Sequence, residues 1–82
     1  MYYMKDFIEF ILQNILETPE DITVFQRTGK QSLLIEIHAC EKNLARIIGR
    51  KGNTIKAIRE VATLTAKKLD KKIVIEVVDS ES

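Results

Sequence analysis

The chain has 82 residues, of which 45% are hydrophobic and 30% charged, with a net charge of +1 and one cysteine, Cys40. That length supports one hydrophobic core and not two, so a single domain over residues 1–82 is expected, and the mixture of apolar and charged residues excludes a disordered tail. One cysteine forms no internal disulfide, zinc knuckle or redox pair, and Lys5, Asp6, Glu9, Gln13 and Asn14 break the apolar opening stretch, leaving neither a membrane span nor a signal peptide. A cytoplasmic protein without membrane attachment is the expectation.

Along the chain, the first element is predicted over residues 2–17, where Met4, Ile8, Ile11 and Ile15 recur with Phe7, Leu12 and Leu16 beside them. This is the spacing of a helix that buries one broad face. Thr18-Pro19 ends it, because a residue before proline avoids helical dihedrals. Residues 22–27 and Ser32–Ala39 are rich in β-branched and aliphatic side chains and flank Thr28-Gly29-Lys30, the pattern of a hairpin. Leu33, Ile35 and Ile37 alternate with Leu34, Glu36 and His38, so one sheet face belongs to the core.

Glu41–Ile48 reads as a short helix with Leu44, Ile47 and Ile48 inward, ended by Gly49, the residue type that tolerates positive φ past a helix end. Asn53, a residue suited to accept first-turn amides, then opens a helix over residues 53–69. Its predicted buried stripe is Ile55, Ile58, Ala62, Thr65 and Leu69, with Lys56, Arg59, Thr63 and Lys67 on another face. Residues 72–78 form a last strand with Ile73, Ile75 and Val77 on one side. The order is αββααβ. Two helices between the second and third strands require a crossover, hence parallel pairing with a right-handed connection. The fold class is therefore α+β: a three-stranded mixed sheet with three helices packed on one face. The other face, with Thr23 or Phe25, Glu36, His38, Glu76 and Val78, should be mostly wet.

The small net charge conceals a strong segregation. Residues 46–72 hold nine basic side chains against two acidic ones, a segment of +7 offset by acidic flanks, and such a local field steers polyanions whatever the total. Within it, Ile47-Ile48-Gly49-Arg50-Lys51-Gly52-Asn53-Thr54-Ile55-Lys56 joins two helices through a connection with glycine at each end and two cations between. Glycine allows a sharp turn and the close approach of a sugar-phosphate strand to the main chain. Arg50 and Lys51 would face phosphate oxygens, and the N-terminus of the following helix adds attraction for anions. Ile47, Ile48 and Ile55 would offer apolar surface to unpaired bases, a geometry open to single strands and closed to a duplex.

The pattern aliphatic-Ile-Gly-x-x-Gly-x-x-Ile is the signature of KH domains, and with αββααβ order the whole chain resembles the type II arrangement. Its length, the Pro19-Glu20-Asp21 break and the run from Ile48 to Arg59 resemble the bacterial KhpA (YlqC-like) proteins. The resemblance implies sequence-tolerant, non-catalytic binding of single-stranded RNA, in the manner of an RNA chaperone or post-transcriptional regulator. It further implies self-association as a homodimer and pairing with a larger KhpB (Jag)-type KH protein. By carry-over, Gly49 and Gly52 give backbone access, Arg50 and Lys51 contact phosphates, and Ile47, Ile48 and Ile55 build the groove wall, with Asn53, Thr54 and Lys56 completing the site.

Simpler readings stand beside these. A lone Gly-x-x-Gly suits any tight helix-helix turn; the cations, the isoleucines and the element order favour RNA. A phosphate-binding P-loop is excluded, since it needs four residues between the glycines followed by Lys and Ser/Thr. Lys67, Lys68, Lys71 and Lys72 complement a helix C-terminus, and Lys56 and Arg59 suit either a phosphate contact or a solvated face. His38 has no partner at catalytic or metal spacing, Cys40 is a small packed side chain, and no set of residues suggests an enzyme or a cofactor. Tyr3, Phe7 and Phe10 on the first helix either help to cover the sheet or form a partner surface, so a protein-interaction module is the rival function. Single-stranded DNA is the alternative ligand.

Overall fold

The computed structural model describes residues 4–80. Helix α1 (Met4–Ile15) is followed by a 3-10 turn at Pro19–Asp21, strands β1 (Thr23–Thr28) and β2 (Ser32–Ala39), helix α2 (Glu41–Ile48), a second 3-10 turn at Arg50–Gly52, helix α3 (Asn53–Lys68) and strand β3 (Lys72–Asp79). Strand β2 lies in the centre. It pairs antiparallel with β1, Val24 opposite Ile37, and parallel with β3, Ile35 opposite Ile75. The crossover through α2 and α3 supplies the length that a parallel pair needs.

Alternation along β2 decides which face is core. Leu33, Ile35, Ile37 and Ala39 are buried, together with Val24 and Ile75 from the neighbouring strands. The helices cover that face with Met4, Ile8, Leu12, Ile47, Ile55, Ile58, Ala62 and Ala66, and burying each large aliphatic side chain contributes about 1.5–3 kcal/mol. On the opposite face Thr23, Phe25 and Glu76 are exposed and Glu36, His38 and Val78 half-buried. The rings of Phe25 and His38 meet edge to face, with centroids 5.0 Å apart.

Several side chains depart from the predicted stripes, each for a packing reason. In α1 the deepest row is Met4, Ile8 and Leu12, continued by Leu16, while Ile11 and Ile15 are half-buried. Residues four apart lie almost above one another on a helix, so this row takes the seam and Ile11 and Ile15 its flank. In α3 the seam ends on Ala66, not on Thr65 and Leu69. The helix stops at Lys68, and the turn that follows, with Asp70 at φ +57°, leaves Leu69 45% exposed. In α2, Ile48 is 41% exposed and the buried polar residue Asn43 takes an inward position. Asn43 is satisfied there: its Nδ2 donates to the Thr18 carbonyl at 3.3 Å, and the Thr18 hydroxyl donates to its Oδ1 at 3.2 Å.

Phe7 is half-buried against the core, leaving Phe10 as the exposed aromatic of α1. Tyr3 lies outside the described residues. Among the described residues no helix is long and apolar enough to cross a membrane.

Candidate nucleic-acid interface

The connection between α2 and α3 turns through three residues of positive φ. Gly49 has φ +75° and ψ 177°, and its amide donates to the Ala45 carbonyl at 2.9 Å, closing α2. Lys51 has φ +56° and Gly52 φ +74°, and the Gly52 amide returns to the Gly49 carbonyl at 3.2 Å. A non-glycine residue in the left-handed region costs about 1–2 kcal/mol, so Lys51 is held there by its neighbours.

The two glycines occupy different surroundings. A Cβ built on Gly49 would meet Thr54, lying 2.6 Å from its Cβ, so Gly49 lets the start of α3 pack onto the end of α2. A Cβ on Gly52 would meet nothing within 4 Å. The main chain at Gly52 therefore borders open space.

Asn53 does not cap α3. It takes helical dihedrals as the first residue of the helix, while Gly52 holds the cap position with no side-chain cap bond. Capping needs an extended backbone at the cap residue, and the left-handed Gly52 moves Asn53 one place inside. The N-terminus of α3 is thus free of a carboxylate or hydroxyl cap, with its positive dipole end beside Arg50 and Lys51. Both cations lie at the surface of the turn, and among the described residues neither enters an ion pair.

The predicted site residues from Gly49 to Lys56 lie together, but the isoleucines divide. Ile47 is fully buried in the core and presents no surface to a ligand; it fastens α2 beneath the loop. Ile48 is exposed, and Ile55, though 7% accessible, floors a depression bordered by Gly52, Lys56, Arg59, Thr63 and Leu64. The periodicity of α2 marked both Ile47 and Ile48 as apolar; only the packing of α2 against α3 decides that Ile47 turns inward.

A second depression of about 300 Å³ continues the first, sharing Arg59 and Thr63 with it and reaching Ile73, Val74 and Ile75 on β3. Arg59 spans it, with Nη2 donating to the Ile75 carbonyl at 3.1 Å. Strand β3 is at the edge of the sheet, and this carbonyl accepts from a side chain there. The exposed spacing of Arg59 on α3 is visible in the sequence, whereas its reach to an edge strand depends on the strand order. The result is a groove floored by aliphatic carbon, with cations at its loop end and along one wall and edge-strand backbone on the other.

An αββααβ chain with a Gly-x-x-Gly turn between its second and third helices is a type II KH domain. Residues 5–77 match the family model described as KhpA/KhpB, KH domain, and the chain belongs to that family. RNA-binding protein KhpA of Clostridium perfringens is 33% identical over 75 residues, covering 92% of this chain and 100% of the relative. RNA-binding protein KhpA of Chlamydia caviae is 30% identical over 78 residues, covering 95% and 100%. Among solved structures, a point variant of Aquifex aeolicus Era bound to GDP.AlF4- superposes with a TM-score of 0.63 at 24% identity, over 93% of this chain and 29% of that one. Era in complex with MgGDPNP and nucleotides 1506–1542 of 16S ribosomal RNA gives 0.62 at 23%, over the same shares. Those two structures share the fold with a segment of a longer chain.

Proposed function

We propose that this chain binds single-stranded RNA without catalysing a reaction, gripping the strand's backbone at residues 49–52. The observation that carries the reading is the open main chain at Gly52, beside an uncapped helix N-terminus and two cations that enter no ion pair among the described residues. Arg50 and Lys51 contact phosphates, Gly52 admits the sugar-phosphate backbone, and Gly49 sets the helix approach that shapes the turn. The first turn of α3, with Asn53, Thr54 and Lys56, completes the phosphate side. Ile48 and Ile55 form the apolar wall for bases, and Arg59 extends the cationic wall. Membership of a family whose relatives are named RNA-binding proteins supports this reading.

A module that grips about four nucleotides reads little sequence, which suits a chaperone or post-transcriptional regulator acting on many RNAs in the cytoplasm. The test is binding of labelled single-stranded RNA by the wild type and by Arg50→Asp/Lys51→Asp. Both side chains lie at the surface of the turn, so the double variant keeps the circular dichroism and melting of the wild type while losing RNA. Retained affinity in the folded variant overturns the loop assignment.

A second reading, association with another copy or with a larger KH protein of the KhpB type, is favoured by one surface. Val61 is 44% and Leu64 65% exposed on the outer side of α3, and adjoining apolar side chains on a helix seldom stay uncovered. Leu64 also borders the groove whereas Val61 does not, so Val61 is the position that separates association from RNA binding.

A further inference from the structure

At the end of α3 remote from the glycine turn, four lysines surround one basin. Lys30 and Gln31 come from the β1–β2 turn, Lys67 from the last turn of α3, Lys71 from the α3–β3 turn and Lys72 from the start of β3; together with Ser32, Leu69 and Asp70 they line an open basin of about 930 Å³. Two hydrogen bonds tie its two sides together. Lys71 Nζ donates to the Gly29 carbonyl at 2.8 Å, and the Lys72 amide donates to the Gln31 carbonyl at 2.8 Å.

Complementing the dipole at the helix C-terminus accounts for Lys67, but Lys30 and Lys72 lie outside that helix. Asp70 is the one acidic side chain among the lining residues, and among the described residues none of the four lysines joins an ion pair. Four lysines against one aspartate leave the basin with an excess of positive charge that a polyanion would neutralise.

The residues of the basin follow on from those that line the groove. The two depressions along α3 share Arg59 and Thr63, the second reaches Ile73 beside Lys72, and Lys67 stands one helical turn beyond Thr63. Gly52 and Lys67 are about 22 Å apart along the helix. A strand of about four nucleotides centred on the turn extends roughly two to either side and does not cover that distance.

We infer that the basin formed by Lys30, Lys67, Lys71 and Lys72 is a second phosphate-binding site, which takes the flanking nucleotides of a single-stranded RNA already held at Gly49-Arg50-Lys51-Gly52. The inference rests on the RNA-binding reading and lengthens its footprint. Affinity then depends on strand length, because only a longer RNA engages both ends of α3.

The experiment compares mixed-sequence RNAs of about four and about twelve nucleotides on the full chain, by fluorescence anisotropy across a salt series. The variant is Lys30→Gln/Lys67→Gln/Lys72→Gln, which leaves the Lys71 bond to Gly29 in place, and its folding is checked by circular dichroism. The longer RNA is expected to lose roughly tenfold or more in affinity at low salt, with a log-log salt slope shallower by about 1.4–2.1 for two to three lost phosphates. The short RNA is unaffected, and Lys→Arg at the same three positions restores the longer one. Equal affinity of variant and wild type for the longer RNA overturns the inference, as does equal weakening for both lengths. Arg50→Asp/Lys51→Asp separates the two claims: if it keeps the longer RNA while the lysine variant loses it, the turn assignment fails and the basin stands. If the wild type binds neither RNA, both fall.

Discussion

The side chain of Thr54 fills the space that a Cβ on Gly49 would need, with Thr54 N 3.0 Å and Thr54 Cβ 2.6 Å from that point. At Gly52, by contrast, the same added atom would stand in open solvent. Both glycines have positive φ, so alanine strains the backbone at either, by about 1–2 kcal/mol at the left-handed Gly52 and by about 1–3 kcal/mol at Gly49, whose ψ of 177° belongs to a region almost restricted to glycine. Gly49→Ala adds a collision with helix backbone and Cβ that cannot swing away, and the expected total is about 3 kcal/mol. For a domain of this size that lowers the melting temperature by roughly 12–24 °C, against about 4–16 °C for Gly52→Ala. Thermal melts of the two variants check the order. Equal losses would show that the α2–α3 approach relaxes without cost.

Lys51 is a strained cation. With φ +56° and ψ 24° it holds a conformation that asparagine adopts more readily, and strained residues concentrate where a function requires them. Lys51→Asn is expected to leave stability unchanged or raise it by up to about 1 kcal/mol. The same change removes a phosphate contact, making the log-log salt slope for single-stranded RNA shallower by about 0.7. Denaturant unfolding and a salt titration read the two effects separately. A variant that loses stability and keeps its salt slope would contradict the proposed role.

Much of this architecture is legible in the sequence, because the signals that carry it are local. The alternation Leu33, Ile35, Ile37, the break at Thr18-Pro19 and the glycines around Arg50-Lys51 settle the element order, and two intervening helices settle the parallel pairing of β2 and β3. What the sequence left open is decided by contacts between elements. Ile47 and Ile48 are chemically identical neighbours, and only the seating of α2 against α3 puts one in the core and the other at the surface. Asn53 has capping chemistry, yet its backbone follows the left-handed Gly52 and lies inside the helix. Neither the reach of Arg59 to Ile75 nor the gathering of Lys30 with Lys67 and Lys72 has any sequence spacing that announces it, since each joins segments brought together only by the strand order.

Asn43 offers a stability test of how α2 is seated. It is 2% exposed and exchanges two hydrogen bonds with Thr18, which precedes the first 3-10 turn. Asn43→Ala removes both bonds and leaves a cavity, with the Thr18 carbonyl keeping the Asp21 amide as its donor, at an expected cost of about 1–3 kcal/mol. Asn43→Asp keeps the shape but cannot donate to that carbonyl when ionised, and it buries a charge without an opposite partner; the expected loss at neutral pH exceeds that of alanine. Urea unfolding of both variants gives the comparison. A milder effect for aspartate would mean that the Asn43 pocket is open to water.

Association with another KH chain separates two of the exposed apolar regions, one on α1 and one on α3. Phe10 is 64% exposed on α1, and Tyr3, the residue that would extend its surface, lies outside the described residues. On α3, Val61 and Leu64 lie side by side one turn apart, giving the broader apolar face. Surface substitutions of this kind change stability by only about 0.5 kcal/mol, so Val61→Ser and Phe10→Ser should both remain folded. Sedimentation of the chain alone, and mixed with a KhpB-type KH protein, is expected to show lost association for Val61→Ser and unchanged association for Phe10→Ser. Binding of a short RNA should survive in both, because neither residue borders the groove. If Phe10→Ser alone disrupts assembly, α1 carries the partner surface and the outer face of α3 does not.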